Sequence, residues 1–276
     1  MTDPAPITRR ARSADELRRR HHVTESGRPD APPLVFAHGY ATNQEVWRHV
    51  APAFDDEFRV IRFDHIGSGG SDHGAWDPAR HRSLEGFAED VVELLEGLGL
   101  EGVTFVGHSV SAMIGALAVT MAPHRFTRLV MVAASARYID DDGYVGGFSR
   151  AQIDAVLDQL DSDYAGWARA MAPQLVGAAD PAVAEELEAM MLASSDGHPA
   201  TMARSFLLGD YRAQLAEVPV PTLVMQGSED PFVPLAVGRF VEEQLTEGHF
   251  VQLATSGHFP SLTGPAEVIA AIRAFV

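Results

Sequence analysis

The sequence predicts an α/β fold: a mostly parallel central sheet flanked by helices, with a helical lid inserted late in the chain. Three observations carry that expectation. Short apolar runs alternate with longer segments of helical period, the signature of strand and helix succession. Polar residues suited to chemistry fall just past the ends of several runs, the edge where sites on open α/β sheets form. From about Tyr138 to Leu215 the alternation stops and only helical patterns remain.

The elements follow in order. A weak strand near His22–Thr24 precedes strands at Leu34–Ala37, Arg59–Phe63, Val103–Val106, Leu129–Ala133, Thr222–Gln226 and Phe250–Leu253. Helical patterns lie between them at Val46–Phe54, Leu84–Leu98, Ser109–Met121, Leu235–Leu245 and Ala266–Phe275. The strandless stretch reads as several helices, such as Arg150–Leu160, Ala182–Leu192 and Thr201–Leu208. It opens on the turn-rich DDDGYVGGFSR, where Ser149 is placed to N-cap the first of them. An all-helical insertion after a central strand is expected to cover an active site. The chain thus divides into a basic extension, residues 1–20, and one domain, residues 21–276, with the lid at about 139–203.

Composition narrows the function. The chain has 276 residues, 46% of them hydrophobic, enough for one large core. It has no cysteine, which excludes disulfides and thiolate metal sites. A net charge of −17 disfavours nucleic acid as a partner. No apolar run is long enough to span a bilayer and the start has no apolar leader, so no stable membrane insertion and a cytoplasmic location are expected. The extension is locally basic: Arg9, Arg10, Arg12, Arg18, Arg19 and Arg20 face only Asp3, Asp15 and Glu16. It reads as a docking or lipid-surface arm, or as a solvated extension, helical from Ser13; its thin apolar face favours the second.

The chemistry centres on FVGHSVSAMIG, Phe105 to Gly115. It nearly spells G-x-S-x-G, the tight strand-to-helix turn that holds a serine nucleophile in strained backbone, but Ser111 stands at the last glycine. The turn needs small flanking residues, and Ser111 is small; its hydroxyl can bond a neighbouring backbone carbonyl. Ser109 is therefore the candidate nucleophile, the alternative being a serine that merely caps a helix. A serine needs an imidazole to take its proton and a carboxylate to orient the imidazole. Asp230 follows the strand Thr222–Gln226 in GSEDPFVP, and His258 follows Phe250–Leu253 in ATSGHFP. Glu229 adjoins Asp230, but Asp-Pro-Phe-Val-Pro makes Asp230 the turn-fixed side chain. Asp210 in GDYR suits a cap or a pair with Arg212, and Asp64 and His65 open a glycine-rich bend. His21 and His22 lack ligand spacing, so no metal is expected. A developing oxyanion needs two donors. Val110 offers its N–H at the helix start, and the turn His38-Gly39-Tyr40 points the Tyr40 N–H inward.

FAHGYATNQEVW, RFDHIGSGGSD, GHSVSAMIG, ARYIDDDGYVGGFS, YAGWA and GHFPSL together resemble the α/β-hydrolase subfamily that includes the bacterial stress-signalling hydrolase upstream of sigma-B and the plant karrikin and strigolactone receptors. The resemblance runs from about Arg20 to the C-terminus. It implies a Ser109–Asp230–His258 triad, Tyr40 and Val110 as oxyanion donors, and a four-helix lid over an apolar pocket. It also implies a pocket wall of Tyr40, His108, Tyr138, Phe148, Trp167, Met171, Phe206, Leu207 and Val233, although aromatics in a helical insertion often form its own core. Members of this kind often carry Phe where Tyr40 stands, so a hydroxyl is expected at the pocket. The function expected is a serine hydrolase cleaving a small, apolar, uncharged ester, lactone or enol ether through an acyl-enzyme on Ser109, without cofactor. The alternative is a ligand-sensing signalling protein of the same fold with slow hydrolysis and a regulatory protein partner.

Overall fold

A computed structural model describes residues 12–177 and 181–276; residues 1–11 of the expected basic extension lie outside the described residues. Seven strands form one sheet: β1 (Thr24–Gly27), β2 (Pro33–Ala37), β3 (Arg59–Phe63), β4 (Val103–His108), β5 (Phe126–Val132), β6 (Thr222–Glu229) and β7 (Gly248–Ser256). Their order across the sheet is β1-β3-β2-β4-β5-β6-β7, with β1 antiparallel to β3 and every other pairing parallel. All residues of β2 and β4 are buried, as strands covered on both faces must be, and hence their largely apolar composition, with Thr104 and His108 the polar members of β4. The edge strands β1 and β7 are mostly exposed or half-buried and carry weaker apolar patterns.

Helix α1 (Ala14–Arg20) is capped by Ser13, whose hydroxyl takes the Glu16 N–H while the Glu16 carboxylate takes the Ser13 N–H. Its one buried side chain, Leu17, packs against the end of α2 (Leu84–Gly97) at Gly97. Helix α3 (Val110–Met121) follows β4 and packs on α2, β4 and β5. The stretch Val46–Phe54 is not the single helix its periodicity predicts. It forms two 3-10 turns, Gln44–Trp47 and Ala51–Phe54, because Pro52 has no N–H for an α-helical bond.

Between β5 and β6 the chain builds α4 (Arg150–Ser162), α5 (Tyr164–Val176), α6 (Pro181–Ala193) and α7 (Pro199–Leu207). Ser149 caps α4 with Gln152 in a reciprocal pair of hydrogen bonds. Asp163 ends α4 and caps α5 through the Gly166 N–H. Helix α5 packs on α6, and α4 packs on α5 and α7. A short α8 (Arg212–Leu215) returns the chain to β6, after which α9 (Leu235–Gln244), α10 (Pro260–Thr263) and α11 (Pro265–Phe275) complete the fold. Among the described residues no helix is long and apolar enough to cross a membrane.

Candidate active site

Three loops at the carboxyl ends of neighbouring strands meet under the helical insertion. Ser109, between β4 and α3, has φ 55° and ψ −121°, a backbone region that costs a serine about 1–3 kcal/mol. It makes no cap bond to α3, which sets it apart from an ordinary helix cap. The turn is possible because Gly107 lies against the start of the helix: a Cβ there would sit 2.3 Å from the Ser111 carbonyl oxygen. The side chain is free to face His258, whose Nε2 lies 2.9 Å from Ser109 Oγ.

His258 Nδ1 lies 2.8 Å from Asp230 Oδ2, so the imidazole carries its proton there and offers Nε2 to the serine hydroxyl. Asp230 is itself fixed at every acceptor site. Oδ2 also takes the Gln226 Nε2–H at 2.9 Å, and Oδ1 takes the N–H groups of Phe232 at 2.8 Å and Val233 at 2.9 Å. Burial works to raise its pKa, but the charge and hydrogen bond of His258 and the two backbone N–H groups outweigh it and hold the carboxyl below its ordinary value. The backbone of His258 is pinned as well. Its N–H donates to the Leu175 carbonyl in α5 at 2.6 Å, and its carbonyl accepts from His108 Nε2 at 2.7 Å.

Among the described residues no hydrogen bond takes the N–H of Tyr40 or of Val110. The turn reaches Tyr40 through Gly39, packed so closely on His108 that a Cβ would lie 2.5 Å from its Nδ1, and leaves through Ala41 in left-handed backbone at φ 57°. The Tyr40 ring lies between Trp167 and Phe206, with centroids 5.8 and 5.3 Å away, and its hydroxyl donates to the Pro199 carbonyl at the start of α7, 3.0 Å away. The hydroxyl expected at the pocket thus goes to the insertion.

A narrow cavity of about 30 Å³, room for little more than one water molecule, opens over Ser109 and His258. Tyr40, Trp167, Met171 and Phe206 line it, together with Leu175, Met191, Phe232 and Phe259. Phe232 and Phe259 neighbour Asp230 and His258 in sequence, a signal that could have found them; Leu175 and Met191 look like any core residue of a helix. His108, Phe148, Leu207 and Val233 stand behind this wall, whereas the buried Tyr138 side chain reaches the Ser109 side chain. Val233 is buried, and its N–H and carbonyl meet Asp230 and Gln226. The rings of Tyr138 and Phe148 pack on Phe232, and Leu207 is buried at the end of α7. Burial lowers the pKa of His108 to about 3, with the neighbouring His258 charge adding to it, so it is neutral. Glu229 is exposed in β6, and Asp210 pairs with Arg137 and Arg212. Asp64, buried, accepts from the Gln44 and Gly70 N–H groups and meets His22.

A second serine–imidazole contact, Ser111 Oγ to His65 Nε2 at 2.6 Å, differs in kind. The Ser111 hydroxyl donates to the His38 carbonyl, so His65 is the donor to Ser111 and has no lone pair at Nε2 for its proton.

A seven-stranded, mostly parallel sheet with a strained serine at a strand-to-helix turn, hydrogen-bonded to a histidine at a later strand end, defines a hydrolase of the α/β class. The chain belongs to that family: residues 32–265 match the model of the alpha/beta hydrolase fold. It is 35% identical to Karrikin insensitive 2 receptor CA of Petunia hybrida over 86% of this chain and 88% of that one. It is 32% identical to Strigolactone esterase D14 of Arabidopsis thaliana over 87% and 90%. Among solved structures, a hydrolase from Oleispira antarctica superposes with a TM-score of 0.92 at 29% identity, covering 96% of this chain and 97% of that one.

Proposed function

We propose that the protein is a serine hydrolase acting on a small, apolar, uncharged ester, lactone or enol ether, and that α4–α7 are its lid. The observation that carries the reading is the unbroken line from Ser109 Oγ through His258 to Asp230, with both contacts under 3 Å at the floor of an apolar cavity. His258 Nε2 takes the hydroxyl proton as Ser109 Oγ attacks the acyl carbon. The oxyanion is received by the N–H groups of Tyr40 and Val110, and Asp230 stabilises the imidazolium. His258 then returns the proton to the leaving oxygen. A water that loses its proton to the same Nε2 attacks the acyl-enzyme, and the proton passes back to Ser109 as the acid leaves. Among the described residues no Asp, Glu, Lys or Arg lines the cavity, which favours an uncharged acyl group of modest size. A panel of p-nitrophenyl esters of increasing chain length, run beside small lactones and butenolides with intact-protein mass spectrometry, tests this. Short-chain preference with a transient adduct on Ser109 is expected; preference for long chains or charged thioesters, or an adduct elsewhere than Ser109 or His258, overturns it.

A second reading, ligand sensing with slow turnover and a regulatory protein partner, is favoured by relatives whose names include both receptors and esterases. Capture of a defined regulator by the wild type, lost when exposed residues of α4–α7 are changed, supports it; fast turnover of a natural ester with no partner counts against it.

A further inference from the structure

Three buried side chains that the proposed reaction does not use meet beneath the turn His38-Gly39-Tyr40: Ser111, His65 and His38 itself, none more than 1% exposed. Their protons have one consistent arrangement. The His65 backbone N–H donates to His38 Nε2 at 3.1 Å, so the His38 proton sits on Nδ1 and goes to the Gly39 carbonyl at 2.8 Å. Thr42 Oγ1 donates to the same carbonyl at 3.0 Å. Ser111 gives its proton to the His38 carbonyl and takes one from His65 Nε2. Burial lowers the pKa of both imidazoles, which keeps them neutral and leaves this arrangement undisturbed.

We infer that Ser111, standing where the elbow pattern asks for glycine, is a positioning residue that aims the Tyr40 N–H at the substrate's oxygen. The peptide joining Gly39 to Tyr40 is planar, so gripping the Gly39 carbonyl fixes the direction of the Tyr40 N–H on the opposite side. His38 supplies one of the two grips, and Ser111 holds His38 from below by its carbonyl while engaging the His65 ring. A glycine at 111 would fit the elbow but leave the His38 carbonyl and His65 Nε2 unpartnered in a dry interior. The inference rests on the reading of Tyr40 as an oxyanion donor, and it makes the departure from G-x-S-x-G a working part of the site.

Ser111→Ala and Ser111→Gly test it, the second being the pattern's own residue in case the first folds poorly. Loss of an oxyanion donor costs about 10²–10³-fold in kcat, and a loosened donor keeps part of its effect, so a fall of about tenfold or more is expected. KM for p-nitrophenyl acetate should stay within about twofold. Affinity for a neutral alkylboronic acid, whose adduct on Ser109 places an oxygen in the same position, should drop with kcat. The Tyr40 amide resonance of labelled protein should shift and broaden. A merely structural serine would lower Tm and leave kcat, boronate affinity and that resonance at wild-type values, and this result overturns the inference. Should the wild type turn over no ester, the hydrolase reading fails. The Tyr40 resonance then decides the inference alone: unmoved in both variants, it refutes the placement.

Discussion

Asp230→Asn is the sharpest perturbation of the site because every acceptor position of the carboxylate is occupied by a donor. In the wild type Oδ2 faces His258 Nδ1 and Gln226 Nε2, and Oδ1 faces two backbone N–H groups. An asparagine fits the same volume but brings an NH₂ group. With its oxygen kept on the Phe232 and Val233 N–H groups, the NH₂ loses the one Gln226 Nε2–H bond and confronts His258 Nδ1–H, and the imidazole relieves that second clash by moving its proton to Nε2. That nitrogen can then no longer accept from Ser109. With the amide turned over, the NH₂ confronts both backbone donors and loses two hydrogen bonds, each worth about 1 kcal/mol or more near charge. The first arrangement is the cheaper, so kcat should fall by about 10⁴, the cost of the equivalent change in serine proteases. Fold and KM should change little. Steady-state kinetics on p-nitrophenyl acetate give the rate, and nitrogen-15 shifts of His258 report its tautomer. A variant that keeps a tenth or more of wild-type kcat, or whose His258 still carries its proton on Nδ1 while activity is lost, refutes this chain of reasoning.

Ser109→Ala should abolish ester turnover and the covalent adduct while leaving the strained backbone at φ 55° in place, because alanine carries the same Cβ; retained turnover in a purified sample would reassign the nucleophile. Tyr40→Phe removes the bond to the Pro199 carbonyl, about 1 kcal/mol of attachment between turn and insertion, so amide exchange at the start of α7 should quicken about fivefold. Unchanged exchange there would show that the bond contributes nothing. Burial first of all lowers the pKa of His21 to about 4 and that of His108 to about 3, both below the value near 6.5 of an unfolded chain. The unfolded state therefore binds these protons first. The stability they contribute is complete above about pH 6.5 and is lost as pH falls toward 4, by about 2 kcal/mol per histidine at pH 5. Tm measured from pH 7 to pH 5 should decline, and His21→Gln should flatten that decline; a parallel decline in the variant would contradict the assignment.

The sheet was legible because strands buried on both faces must be almost wholly apolar, as Leu34–Ala37 is throughout and Val103–Val106 is apart from Thr104. Val46–Phe54 misled because its apolar spacing suits a helix while one proline decides the hydrogen bonding, a local fact that outweighs periodicity. The order Ser109, Asp230, His258 could be read because each follows a strand end. The links beneath them could not: His22 with Asp64, and Ser111 with the His38 carbonyl and His65, join residues 42, 73 and 46 positions apart through polar side chains that carry no sequence pattern. For the cavity, the helical insertion offers apolar residues on faces turned to its own core and to the site alike. Leu175 and Met191 therefore carry no mark that distinguishes them.

The bond from the His258 N–H to the Leu175 carbonyl means that the proposed base is mounted partly on the insertion rather than wholly on the sheet. A Cβ on Gly257 would come within 2.8 Å of the same carbonyl and of Val176, so the two backbones touch with nothing between them. If α5 swings outward to admit a ligand, it pulls on the loop that aims the imidazole, and a displacement of 1 Å is enough to break a hydrogen bond of this length. Entry and chemistry would then exclude one another in time. Such a machine is safest when open, because a disarmed base cannot spend its serine on stray water or on a half-seated molecule.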